Sequence, residues 1–268
     1  MLNGASGKTH QDIEDLSVMR ALPNMTVLAP ADETEAAAMI RWAADHDGPV
    51  YLRLARDAVA DVFDDGYEFR VGAPVLLRDG GSDADVTVVS TGVQTSRTVE
   101  AITAVEAAGH RIRHVHLPTI KPLDDDALWA LLDGAAQVVT VEEHSVVGGL
   151  GDVVAAVLAG HASGTRLHKV GLADSWAESG PNDFLLDKYG LSVERVRGPH
   201  PRRPRGAESP HEHAASGRRG VDRDPGRDAR SSRSPRRPRS TGRTPSTPCG
   251  AGRCTAPTPS PRRSGATA

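Results

Sequence analysis

Apolar residues in the first 197 positions switch repeatedly between helix-like and strand-like spacing, the pattern of an alternating chain. Asp12 to Ala21 carries Ile13, Leu16 and Met19 at helical spacing, and Leu22-Pro23-Asn24 closes it. Met25 to Ala29 is a short buried strand. Asp32 with Glu35 three residues on reads as an Asp-x-x-Glu capping box opening a helix to about His46. Gly48-Pro49 breaks that helix and Val50 to Leu54 is the next strand. A looser stretch, 57–85, has turn signals at Asp64-Asp65-Gly66 and Asp79-Gly80-Gly81-Ser82 and room for a short strand or two.

A second alternating run follows. The predicted strands are Val86 to Val89, Ile112 to Leu117, Gln137 to Val141 and Leu167 to Leu172. Between them lie predicted helices Thr95 to Ala108, Asp124 to Leu132 and Gly151 to Ala159. Short β–α–β connections predict parallel strands with right-handed crossovers, and four β–α repeats fit one open sheet with helices on both faces. The fold class is α/β.

Composition changes this picture only after residue 197. From Gly198 to Ala268 the one aliphatic residue larger than alanine is Val221, and there is no aromatic. That stretch has 16 Arg, no Lys and 5 acids, a net of +11; with −3 for the whole chain, residues 1–197 carry −14. So few apolar side chains cannot offset the entropy of ordering, and a disordered basic tail is expected. A nucleic-acid arm is one reading of the charge, but no aromatic is interleaved to stack on bases. A shifted reading frame in a GC-rich gene accounts better for Arg, Pro, Gly and Ala without lysine, so nucleic acid is not an expected partner. Cys249 and Cys254 both lie in this tail, so no disulfide or cysteine metal site supports the body. No run of about 18 apolar residues suggests a membrane span, and Met1-Leu2-Asn3 lacks the regions of a signal peptide. The expected location is the cytoplasm.

The chemistry-bearing stretch is Gly4-Ala5-Ser6-Gly7-Lys8-Thr9-His10-Gln11, a small-residue loop followed by an ammonium, a hydroxyl and an imidazole. Gly7-Lys8-Thr9 matches the end of a phosphate-binding P-loop. That motif needs a further glycine where Leu2 stands and a strand before the loop, and neither is present. A longer pattern decides. Gly7 to Leu16, then Met19-Arg20-Ala21-Leu22-Pro23-Asn24-Met25, then Pro30 to Glu35, resembles the pyrimidine-binding domain of transketolases. Its relatives are 1-deoxyxylulose-5-phosphate synthase and the β subunits of 2-oxo acid dehydrogenases. Val89-Ser90-Thr91-Gly92, Lys121-Pro122-Leu123-Asp124, Val141-Glu142-Glu143-His144 with Gly148 to Gly151, and residues 178–191 resemble the transketolase C-terminal domain. The resemblance runs from residue 4 to about 196. It implies a partial pyrimidine-binding domain over 1–57, a linker over 58–82, an open, mostly parallel-sheet C-terminal domain over 83–197, and the tail over 198–268.

What the resemblance implies chemically is two-carbon ketol transfer between sugar phosphates on thiamine diphosphate with magnesium, as in the pentose phosphate pathway. His10 matches the histidine placed over the cofactor's reactive carbon, and Arg56 the arginine that holds a substrate phosphate. Thr9 and Ser6 join them as substrate-binding candidates, although the family carries two acids where Ala5 and Ser6 stand. Lys8 stands where the family tolerates proline or alanine. The family's ring-protonating glutamate, its stacking aromatic and its diphosphate domain have no counterpart in this sequence. An N-terminal transketolase subunit is therefore the expected partner, in a dimer or heterotetramer. The alternatives are a synthase- or dehydrogenase-type subunit, or a non-catalytic degenerate product. Arg53 alternates with Leu52 and Leu54 and is expected to face out of the sheet or into a subunit contact. His114 and His116 read as surface or packing residues without an acidic partner, and His144 as a loop or interface residue; the Glu142-Glu143-His144 run lacks metal-ligand spacing.

Overall fold

A computed structural model describes residues 3–81 and 84–198. The disordered tail expected from residue 198 and both cysteines lie outside the described residues, apart from Gly198 itself. Two short 3-10 turns, Gly4–Ser6 and Lys8–His10, lead into helix α1 (Asp15–Ala21) and strand β1 (Thr26–Leu28). Helix α2 (Glu33–Asp45) follows, capped as its sequence requires, since the Asp32 carboxylate accepts from the Glu35 N–H at 2.9 Å. Glu35 in turn accepts from the Ala31 N–H at 2.7 Å, one residue before the cap. Asp32 also accepts from the N–H groups of Val62 and Phe63, so the cap ties down the chain beyond β2 (Val50–Leu52).

The second run holds β3 (Val75–Arg78), β4 (Val86–Ser90), α3 (Gln94–Glu106), β5 (Ile112–His116), β6 (Thr119–Lys121) and α4 (Asp125–Leu132). It ends with β7 (Gln137–Ser145), α5 (Leu150–Gly160), β8 (Arg166–Leu172), α6 (Asn182–Lys188) and α7 (Val193–Arg197). Five strands form one sheet in the order β3-β5-β4-β7-β8, parallel except for β3. Neighbouring residues on β4 point to opposite faces. Val89 packs with Leu128, Leu132, Val153 and Leu158 of α4 and α5, while Val88 packs with Ile102 of α3 and Leu185 of α6. Both faces are therefore covered, as the near-continuous apolar runs of the strands demand.

The smaller sheet runs β2-β1-β6, with β1 parallel to β2 and antiparallel to β6. The period-2 rule does not reveal β6, because Thr119-Ile120-Lys121 sits between two prolines and has no alternation to read. It leaves β5 after two residues and crosses to the other sheet, and the Pro118 carbonyl accepts from Ala29 N–H at 2.9 Å. Likewise β3, inside the expected linker, pairs with β5 at the edge of the large sheet.

Arg53 corrects the sequence reading. It lies past the end of β2, where alternation no longer applies, and is 7% exposed. Its Nε donates to Asp15 Oδ2 at 2.7 Å, and Nη2 donates to the carbonyls of Asp12 (2.7 Å) and Glu143 (3.0 Å). Tyr51 donates to the same Asp15 oxygen at 2.6 Å. Burial alone would push the Asp15 carboxyl up; the Arg53 guanidinium and the Tyr51 hydroxyl together outweigh it and hold the group below its usual range. Removing one member of a buried pair leaves the other charge uncompensated, so Arg53→Met is expected to cost about 3–5 kcal/mol. Urea unfolding of the full chain measures this, and Arg53→Met combined with Asp15→Asn should recover at least half the loss. Equal stability of Arg53→Met and the wild type would refute the anchoring role.

Candidate functional site

The loop before α1 is held close to the segment before α6 by groups that leave no room for a side chain. Gly4 N–H donates to Asn182 Oδ1 at 2.7 Å, and Gly180 N–H to the Gly4 carbonyl at 2.9 Å. A Cβ on Gly4 would lie 2.1 Å from the Gly180 carbonyl oxygen. Gly7 has φ +72°, a left-handed conformation that favours glycine, and a Cβ there would meet Ser179 Oγ at 2.1 Å. Gln11 completes the seam by donating to the Glu178 carbonyl at 3.2 Å. This is why the motif needs small residues at both positions: the loop lies flat on 178–182 and presents its polar run outward.

A cavity of about 310 Å³ opens beside this loop. His10 and Arg56 both line it, as do Asp12, Arg97, Glu143 and Asn182. The wall at Leu54–Asp57 comes just after β2, Val93 after β4, and Glu143 from the last third of β7. The site thus gathers at the carboxyl ends of parallel strands, the edge where open α/β sheets bind ligands. Arg56 is exposed and has no hydrogen-bond or ion-pair partner among the described residues, so the pairing with Asp57 or Asp61 that its sequence context allows does not form. Asp57 is engaged by the Asn182 amide instead. Thr9 and Ser6 do not line the cavity; Thr9 Oγ1 lies 2.9 Å from His10 Nδ1. That contact occupies one ring nitrogen and leaves Nε2 for a ligand.

Two family models match the chain in register with this geometry: the transketolase pyrimidine-binding domain over residues 2–61 and the transketolase C-terminal domain over residues 76–196. The chain belongs to the transketolase family. It is 37% identical over 191 residues to the 6-deoxy-6-sulfo-D-fructose transketolase subunit of a Clostridium species, covering 71% of this chain and 58% of that one. It is 33% identical over 198 residues to a 1-deoxy-D-xylulose-5-phosphate synthase of Geobacter sulfurreducens, covering 73% of this chain and 31% of the relative. A solved split-gene transketolase, an inactive β4 tetramer, matches with TM-score 0.67 and 42% identity, covering 72% of this chain and 62% of the other. The chain spans 55% to 61% of the length of the curated transketolase relatives it matches.

Within this transketolase-type scaffold His114 and His116 are fully buried, the packing alternative of the sequence reading, but His116 does have an acidic partner. Its Nε2 lies 2.8 Å from Glu35 Oε2 and its Nδ1 2.8 Å from Thr95 Oγ1. No local pattern points to this partner, which comes from α2, 81 residues away in the chain. His114 sits 2.8 Å from Ser90 Oγ, and burial pushes its pKa down to about 3, so its ring stays neutral.

His144 is in β7, fully buried, because that strand runs four residues beyond its expected end at Val141. It lies 3.8 Å from Asp15 Oδ1 and 3.6 Å from Glu142 Oε2, and burial lowers its pKa. Glu142 turns inward to receive the first N–H groups of α5, from Leu150 (2.6 Å) and Gly151 (3.0 Å). A carboxylate at a helix N-terminus explains the glycine run that follows, since a Cβ on Gly149 would fall 2.0 Å from Glu142 Oε2.

Burial nevertheless raises the Glu142 pKa from 4.5 to about 7, with the two N–H groups only partly opposing it. A group whose folded pKa is raised contributes stability that is complete below its unfolded value and lost as pH climbs through the folded one. Stability should therefore decline between about pH 5 and about pH 8 by up to about 3 kcal/mol relative to Glu142→Gln, which does not titrate. Denaturant midpoints of both proteins across that range test it, and parallel pH slopes would contradict the assignment.

Proposed function

We propose that this chain is the C-terminal subunit or section of a transketolase, transferring a two-carbon ketol unit between sugar phosphates in the cytoplasm. The carrying observation is that an imidazole and an unpaired guanidinium, His10 and Arg56, line one cavity at the carboxyl edge of the sheets. The imidazole of His10 suits a substrate hydroxyl whose proton must be held or moved. Thr9 acts on the ring rather than on the substrate, orienting it through the contact with Nδ1. Arg56, free of carboxylates, suits the anionic end of a phosphorylated sugar. Ser6 lies outside the cavity wall and is given no substrate contact in this reading.

Thiamine diphosphate, when bound, supplies the carbanion chemistry of such a transfer. The chain matches the pyrimidine-binding and C-terminal domains and is similar to split-gene transketolase subunits, so we assign the metal and diphosphate mostly to an N-terminal partner subunit in a dimer or heterotetramer, with the residues of this chain acting on the substrate side. The transketolase reading is preferred to the synthase because identity is 42% to the split-gene transketolase and 37% to a transketolase subunit, against 33% to the synthase.

Ketol transfer from xylulose 5-phosphate, assayed after mixing with the matching N-terminal subunit, tests the reading. His10→Ala is expected to lower kcat about 10²–10⁴-fold, the range for losing a positioned acid–base group. His110→Ala, at an exposed histidine outside the cavity, should leave it unchanged. Absence of transfer by the wild-type mixture under all donor conditions would sink the proposal.

A further inference from the structure

The cavity holds a second guanidinium that the reading above leaves without a role. Arg97 lies in the first turn of α3, where the helix dipole is positive and a cation is disfavoured. That turn contains no acidic residue to offset it. Compensation comes from another element: Arg97 Nη1 donates to Glu143 Oε2 on β7 at 2.6 Å and to Gln94 Oε1 at 3.1 Å. Glu143 is 3% exposed, so this is a partly desolvated pair with a fixed geometry. Both contacts fall on Nη1, which leaves Nε and Nη2 of the fork, and the side chain lines the same cavity as Arg56 and His10. A sequence that breaks a local helix rule and supports the break from a neighbouring strand has the mark of a functional position.

We infer that Arg97 and Arg56 together form a two-guanidinium clamp for a tetrahedral oxyanion, a phosphate or a sulfonate, on a small ligand. The inference rests on the sugar-phosphate reading and deepens it by assigning a specificity-determining residue to the part of the chain matched by the C-terminal domain. One guanidinium follows β2 of the small sheet and the other rides on α3 over the large sheet, so the anion bridges the two. The acids in the cavity are each engaged: Asp57 by the Asn182 amide, Glu143 by Arg97 Nη1, and Asp12 by an interaction of its own, so Arg56 and the remaining N–H groups of Arg97 are left as donors for an anion. A planar fork presents paired N–H groups that an ammonium cannot, so lysine is a poor substitute at either place.

The test is titration of the full 268-residue chain with inorganic phosphate and, separately, methanesulfonate, followed by calorimetry or backbone amide shifts. Arg97→Gln should weaken binding about tenfold, as should Arg56→Gln, each the size of a lost charge-assisted hydrogen bond. Arg97→Lys should recover only part of the loss. Because Arg97→Gln leaves Glu143 without its cation, Arg97→Gln with Glu143→Gln serves as the fold-preserving variant and should show the same weakening. Stronger binding of one anion identifies the ligand's terminal group. Binding weakened by Arg56→Gln but untouched by both Arg97 variants overturns the clamp while leaving the ketol-transfer reading standing. No binding of either anion to the wild-type chain also overturns it, whereas failure of the mixed-subunit assay bears on that reading alone.

Discussion

One buried guanidinium joins the parts of this structure. Arg53 leaves the end of β2, pairs with Asp15 on α1, and reaches the backbone of Asp12 and of Glu143 on β7. Loop, helix, small sheet and large sheet therefore meet at one residue that is 7% exposed. Backbone carbonyls accept two of its bonds, so the position of the chain is fixed, and not merely the position of side chains. A charge so placed costs desolvation and contributes little net stability, but it tolerates few alternative arrangements of its neighbours. The residues on either side of those contacts are the ones that line the cavity: Leu54–Asp57 beyond Arg53, Asp12 itself, and the Glu143 side chain.

This linkage explains why the site belongs to neither sheet. His10 is carried by a loop seated on residues 178–182, Arg56 by the small sheet, and Arg97 by a helix on the large one. Strand β6 reinforces the junction by leaving the large sheet to pair with β1. A substrate in the cavity would touch elements from both family-model matches. The relative placement of those elements is set by Arg53, by β6, and by the Glu35–His116 contact between α2 and β5.

Most of the secondary structure was legible from the period of apolar residues. β1, β2, β4, β5 and β8 fall within two or three residues of the expected strands, and the Asp32 cap forms as the pattern implies. The exceptions share a cause. β6 and β3 are short edge or crossing strands whose pairing partners, not their own alternation, make them strands. β7 continues through Glu142 and Glu143 because both carboxylates find partners supplied by distant chain, the helix N–H groups and Arg97, while the buried His144 ring bonds the adjacent Ser145 carbonyl. Period alone reads such residues as a loop.

The same distinction governs the site. His10 and Arg56, which line one cavity, are candidates through a motif, and a motif carries a residue's neighbours in sequence. Arg97 carries no motif. Its only local signal was a cation in the first turn of a helix without an acid beside it, a small energetic anomaly that says nothing until the strand opposite is known. Arg53 was misread for the converse reason: it sat inside an alternating run, and the alternation ended one residue before it. Sequence pattern is thus most informative where a residue's surroundings are local. It fails at junctions, where buried charge is satisfied across long chain separations, and in this protein the cavity lies at such a junction.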